Sequence, residues 1–76
     1  MNSLKISLRY DDLKSFLNVT SKFKSKIYMK KGRYVVDAKS VMGILSIDFS
    51  NEVEVEIITN NEDELIRFFK DMEEFK

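Results

Sequence analysis

The sequence predicts an α+β domain: a four-stranded antiparallel sheet with three helices on one face, in the order βαββαβα. Two observations carry this. Four runs alternate apolar and polar residues with the period of a half-buried strand: Leu4 to Leu8, Lys26 to Lys30, Tyr34 to Ala38, and Glu52 to Ile58. Between and after them, other stretches repeat apolar residues every three or four positions, the spacing of one helical face.

The first strand places Leu4, Ile6 and Leu8 toward the core. Asp11 or Asp12 then stands where a helix cap is needed. Helix one is expected from about Asp11 to Lys22, with Leu13, Phe16, Leu17, Thr20 and Phe23 inward and Lys14, Ser15, Asn18 and Ser21 outward. The next two strands form a hairpin around Lys31-Gly32, where Gly32 is free to adopt positive φ. Ile27, Met29, Tyr34, Val36 and Ala38 are its expected core residues.

Ser40 precedes an apolar run, as a helix N-cap does, so a short helix is expected from Val41 to about Ile47. Asp48-Phe49-Ser50-Asn51 closes it as a turn. In the fourth strand Val53, Val55 and Ile57 face one way and Glu52, Glu54 and Glu56 the other. Asn61 with Glu64 has the form of a capping box at the start of the last helix. Leu65, Phe68, Phe69, Met72 and Phe75 form that helix's buried stripe.

At 76 residues the chain is read as a single domain, 1–76, and a domain of this size buries only about 60% of the surface its unfolded form exposes. No apolar run approaches the roughly 20 residues needed to span a bilayer. Met1-Asn2-Ser3-Leu4-Lys5 lacks the regions of a signal peptide. With no cysteine, the expected compartment is the reducing cytoplasm. The sequence contains no histidine, which removes imidazole bases, phosphohistidine and most transition-metal sites. No cofactor or metal is expected; Glu52, Glu54 and Glu56 would collect Ca²⁺ weakly, without a ligand loop. Ser15, Ser21 and Ser46 have no histidine partner for a triad, so the expectation is a protein that is not an enzyme.

Charge is balanced overall but unevenly spread. Residues 22–39 carry seven bases (Lys22, Lys24, Lys26, Lys30, Lys31, Arg33, Lys39) against Asp37 alone. These suit either the solvated face of a hairpin or, as an alternative function, a nucleic-acid-binding module using the open sheet face, Tyr28 and the basic hairpin 22–39. The neutral total and the glutamates of strand four weigh against the second reading.

From Lys39 to Ile47 one charge occurs in nine residues, in a chain that is 34% charged. This stretch, Lys39-Ser40-Val41-Met42-Gly43-Ile44-Leu45-Ser46-Ile47, resembles the Lys-Ser-[Ile/Val]-Met-Gly-[Val/Ile]-[Met/Leu]-Ser-Leu segment of HPr, the histidine-containing phosphocarrier of the bacterial sugar phosphotransferase system. Thr20-Ser21-Lys22-Phe23 resembles that family's Ala-Ser-Lys-Phe/Tyr, at an ungapped separation. The resemblance implies the HPr-like open-faced sandwich. It departs where the family is active: the histidine position falls on Arg9, and its arginine and proline fall on Asp11 and Asp12. An HPr-like protein unable to carry phosphohistidine is therefore expected.

The resemblance also implies a second site. In Gram-positive relatives the serine matching Ser40 is phosphorylated by a dedicated kinase, and residues matching Met42 and Leu45 dock partners. Ser40 thus has two readings, a plain N-cap or a candidate regulatory phosphorylation site beside Lys39. Met42 and Leu45 likewise divide between core and docking surface: if Val41, Ile44 and Ile47 share the buried face, Met42 and Leu45 are outward. Gly43 is assigned to close helix packing or partner approach. The expected function is a regulatory or interaction protein that docks protein partners, phosphotransferase components or a regulator, through helix 40–47, with Lys39, Met42, Gly43 and Leu45 as the candidate docking residues. Homo-oligomerisation through the uncovered sheet is a further possibility.

Overall fold

The computed structural model describes residues 2–76, so Met1, which the reading includes in the domain and the N-terminal segment, lies outside the described residues. The elements are β1 (Ser3–Ser7), α1 (Leu13–Thr20), β2 (Lys26–Lys31), β3 (Tyr34–Asp37), α2 (Val41–Leu45), β4 (Glu52–Ile58) and α3 (Glu62–Met72). Short 3₁₀ turns precede α1 at Tyr10–Asp12 and follow α3 at Glu73–Phe75. The order matches the α+β expectation.

The strands lie in the order β1-β4-β2-β3, with every neighbouring pair antiparallel. The last strand to form in sequence thus sits inside the sheet, between β1 and β2. Its register is set by alternation: Ile6 opposes Val53, Ile27 opposes Ile57, and Met29 opposes Val55, so all six side chains fall on the helix side. A slip of one residue would turn that apolar row to water. Phe16, Phe68 and Met72 close the core from the helices, and Phe75 reaches back to meet Phe16 edge-on, with ring centroids 5.4 Å apart.

The other face is polar. Lys5, Glu54, Lys30 and Val35 lie in one row across the sheet, and Ser3, Glu56, Tyr28 and Asp37 in the next. The Ser3 hydroxyl donates to Glu54 Oε2 at 2.8 Å, and the Lys30 ammonium pairs with Glu56.

Three details differ from the expectation. Tyr34 is 67% exposed rather than core. It pairs with Lys31 beside the Gly32 turn on an edge strand, where no helix covers it, whereas Val36 on the same side packs against the core. Gly32 does take φ +59°.

Helix α1 is shorter than 11–22. Asp12 does not cap it forward; its Oδ2 reaches back to accept the Arg9 N–H at 2.9 Å, which stabilises the 3₁₀ turn instead.

Asn61 caps α3 as expected, accepting the Glu64 N–H at 3.1 Å. The Glu64 carboxylate, however, does not complete the box. It accepts the N–H groups of Lys24 (2.9 Å) and Ser25 (3.0 Å) and the Ser25 hydroxyl.

Candidate functional site

The approach to α2 is held from three sides. Ala38 N–H donates to Ile27 O at 2.9 Å, which extends the hairpin ladder by one step. The buried Thr20 hydroxyl of α1 donates to Ala38 O at 3.0 Å. Asp37 accepts the Lys39 N–H through Oδ1 at 2.8 Å and the Ser40 N–H through its carbonyl at 3.0 Å. Lys39 is half-buried, and its ammonium donates to Phe23 O at 2.6 Å. Both ends of the loop before α2 are thereby tied to α1 and its exit.

Ser40 is the N-cap. Its backbone is extended (φ −107°, ψ 118°) and its Oγ accepts the Gly43 N–H at 3.0 Å. The first turn closes through Ile44 N–H to Ser40 O at 3.0 Å. At the other end the Ser46 hydroxyl donates to Gly43 O at 2.6 Å, and the helix tightens as Ile47 N–H turns to Ile44 O.

Ile44 is fully buried and Ile47 nearly so, but Val41 is 49% exposed, which corrects its assignment to the core. Steps of three residues fall about 60° short of a full turn, so Val41, Ile44 and Ile47 fan apart instead of stacking. Moreover, α2 ends at Leu45, and Ile47 reaches the core from the turn beyond it. The outward surface is therefore Val41, Met42 (80% exposed) and Leu45 (46% exposed), in agreement with the outward reading of Met42 and Leu45.

Gly43 is not required by close packing against alanine. A Cβ there would lie 3.4 Å from Val36 Cβ and from Ser40, at ordinary contact.

Arg9 and Leu45 line one cleft of about 390 Å³, with Leu8, Tyr10, Ile47, Asp48, Phe49 and Ser50. Arg9 and the end of α2 are thus neighbours. The Arg9 side chain is 84% exposed, and its Nε lies 3.8 Å from Asp12 Oδ2. The Tyr10 and Phe49 rings face each other at 5.4 Å, tilted by 60°. Phe49, read in the sequence as part of a turn, is buried; an isolated aromatic between turn formers gives no periodic signal. Asp48 Oδ1 accepts the Ser50 hydroxyl and N–H, and these bonds, with Lys31 nearby, hold its carboxyl below the usual range.

On the open sheet face the hydrogen bond to Glu56 raises the Lys30 pKa. The lysines of β1 and β2 are interleaved with the acids of β4. That row presents neutralised pairs rather than a basic stripe, so the geometry does not favour the nucleic-acid alternative. Among the described residues no helix is long and apolar enough to cross a membrane.

A four-stranded open sheet, helices on one face and a serine-capped short helix define the class: a small open-faced α+β sandwich. The family model described as PTS HPr component phosphorylation site matches residues 13–73. The chain belongs to the HPr family. The match begins beyond Arg9, so it does not extend over the loop in which the histidine position falls.

The chain is 34% identical to the HPr-like protein Crh of Bacillus subtilis (strain 168) over 61 residues, covering 80% of this chain and 72% of Crh. Among solved structures, HPr-C-His from Thermoanaerobacter tengcongensis superposes with a TM-score of 0.76 at 32% identity, over 96% of this chain and 92% of that one. The B. subtilis Crh crystal structure, described as a swapped, intertwined dimer, superposes with a TM-score of 0.64 at 26% identity, over 93% and 85% of the two chains.

Proposed function

We propose that this HPr-family protein is a non-catalytic, cytoplasmic regulatory or interaction protein that docks protein partners through α2, with Ser40 as its phosphorylation-controlled gate. The observation that carries the reading is the division of α2. Ile44 anchors the helix in the core, while Val41, Met42 and Leu45 form an apolar outward face. Methionine's flexible, polarisable side chain suits a surface that accepts a partner.

The absence of histidine supports a role that does not pass on a phosphoryl group through imidazole. Similarity to a protein named HPr-like supports an HPr-related role. Phosphotransferase components or a regulator are the partners proposed. A phosphate on Ser40 Oγ would stand beside the N–H groups of the first α2 turn, where negative charge is favoured, and would place a charged rim beside the apolar face. Self-association is a second use of the scaffold, supported by the swapped dimer described for Crh.

Incubation with an HPr-class serine kinase and ATP, followed by peptide mass spectrometry, should find one phosphate on Ser40, and Ser40→Ala should abolish it. No mass shift would remove the gate. Binding of phosphotransferase components should perturb amide resonances of residues 41–45. Docking fails as a reading if perturbations arise only elsewhere or not at all.

A further inference from the structure

We propose that the cleft between Arg9–Tyr10 and the chain leaving α2 binds a small amphipathic carboxylate, an anion carried on one aromatic or branched apolar body. Its volume, about 390 Å³, lies at the lower end of the range of ligand sites, which suits a single ring better than an extended cofactor. Most of the lining is apolar: Leu8, Ile47 and Phe49 are buried, Leu45 is half-exposed, and the exposed Tyr10 ring is tilted against Phe49. Offset or edge-on stacking on the exposed Tyr10 ring favours a planar guest.

The charged groups at the rim are Arg9 and Asp48. Asp48 is committed to the Ser50 N–H and hydroxyl. Arg9 is mostly exposed, and its one ionic neighbour among the described residues is Asp12, at a long 3.8 Å from Nε. That contact is to Nε, so the terminal nitrogens carry no ion pair among the described residues, and a guanidinium's planar fork matches a carboxylate.

One guanidinium with Asp12 and Asp48 close by suits a monoanion. Arg9 beside Asp12 and Lys31 near Asp48 leave no surplus of positive charge for a phosphate dianion. Its polar anchor, Arg9, occupies the position where the resemblance puts a histidine. The site stands independently of whether α2 docks a protein.

Amide NMR titration of the full chain with phenylacetate, and with phenylacetamide as the neutral match, tests this. Phenylacetate should give saturable shifts at Tyr10, Leu45 and Phe49, and phenylacetamide should bind about tenfold or more weakly, the loss of one charge-assisted pair. Arg9→Gln should bring the acid down to the affinity of the amide while resonances of β1 to β4 stay in place. Tyr10→Ala should weaken both probes. Equal binding of acid and amide, an unchanged affinity in Arg9→Gln, shifts confined to other surfaces, or no saturable shift would each overturn the proposal.

Discussion

The carboxylate of Glu64 accepts both the backbone N–H and the hydroxyl of Ser25, thirty-nine residues away in sequence. With the Lys24 N–H as a third donor, this pins the first turn of α3 to the segment entering β2. Arg67 completes the arrangement, with Nη2 3.5 Å from Glu64 Oε2 and its guanidinium 4.6 Å from the Phe23 ring centroid. Glu64 is only 7% exposed, so these donors replace most of its water.

The hydrogen bonds from Ser25 and Lys24, with Arg67 nearby, lower the Glu64 carboxyl from its ordinary 4.5 to about 2. Its folded pKa is depressed, so the folded state binds fewer protons than the unfolded one between those values. The stabilisation is complete above about pH 4.5 and is lost as pH falls toward about 2. Urea unfolding at a series of pH values should show stability declining through that window. In Glu64→Gln the decline should be shallower, from a lower plateau.

Thr20→Val should destabilise the protein by about 1–3 kcal/mol, because it leaves the Ala38 carbonyl without its buried donor at nearly unchanged volume. The same bond positions the loop before Ser40. Amide exchange at residues 39–44 should therefore quicken more than exchange in β4.

Gly43→Ala should be neutral or stabilising by up to about 1 kcal/mol, since alanine is the better helix former and its methyl meets ordinary contacts at 3.4 Å. A Gly43→Leu variant has no such room beside Val36 and should destabilise. The thermal midpoint should hold or rise in Gly43→Ala and fall in Gly43→Leu.

Met42→Ser should change stability by no more than about 0.5 kcal/mol, the usual scale for an exposed position. Ile44→Ala, two residues on, should cost about 2–5 kcal/mol through the cavity it opens. Denaturant midpoints measure both. Loss of partner binding in Met42→Ser at unchanged midpoint would assign Met42 to the interface rather than the core.

Strand and helix identity was legible because a two-residue or 3.6-residue repeat survives in each long element, as in Val53-Glu54-Val55-Glu56-Ile57 and Leu65 to Met72. The caps at Ser40 and Asn61 were legible because capping needs only a short polar side chain three residues before an N–H. In α2 the repeat was too short to decide orientation: over five residues several faces fit the same pattern. The outward turn of Val41 depends on where the helix leaves the edge of the sheet.

What the sequence determined by itself is local: the order of elements, the register-setting alternation of β4, and the absence of any imidazole. Only the tertiary structure decided which groups meet across long separations. It gave the Glu64 carboxylate to Ser25 instead of its own helix cap, the Thr20 hydroxyl to Ala38, and Arg9 to the same cleft as Leu45. The physical reason is that a buried polar group takes whichever partner the packed chain brings within about 3 Å. A choice of that kind leaves no periodic trace in the sequence, because the partners lie on elements joined only by the fold. The surface built around Ser40 is therefore half written in one helical turn and half assembled by the first-helix loop that folds against it.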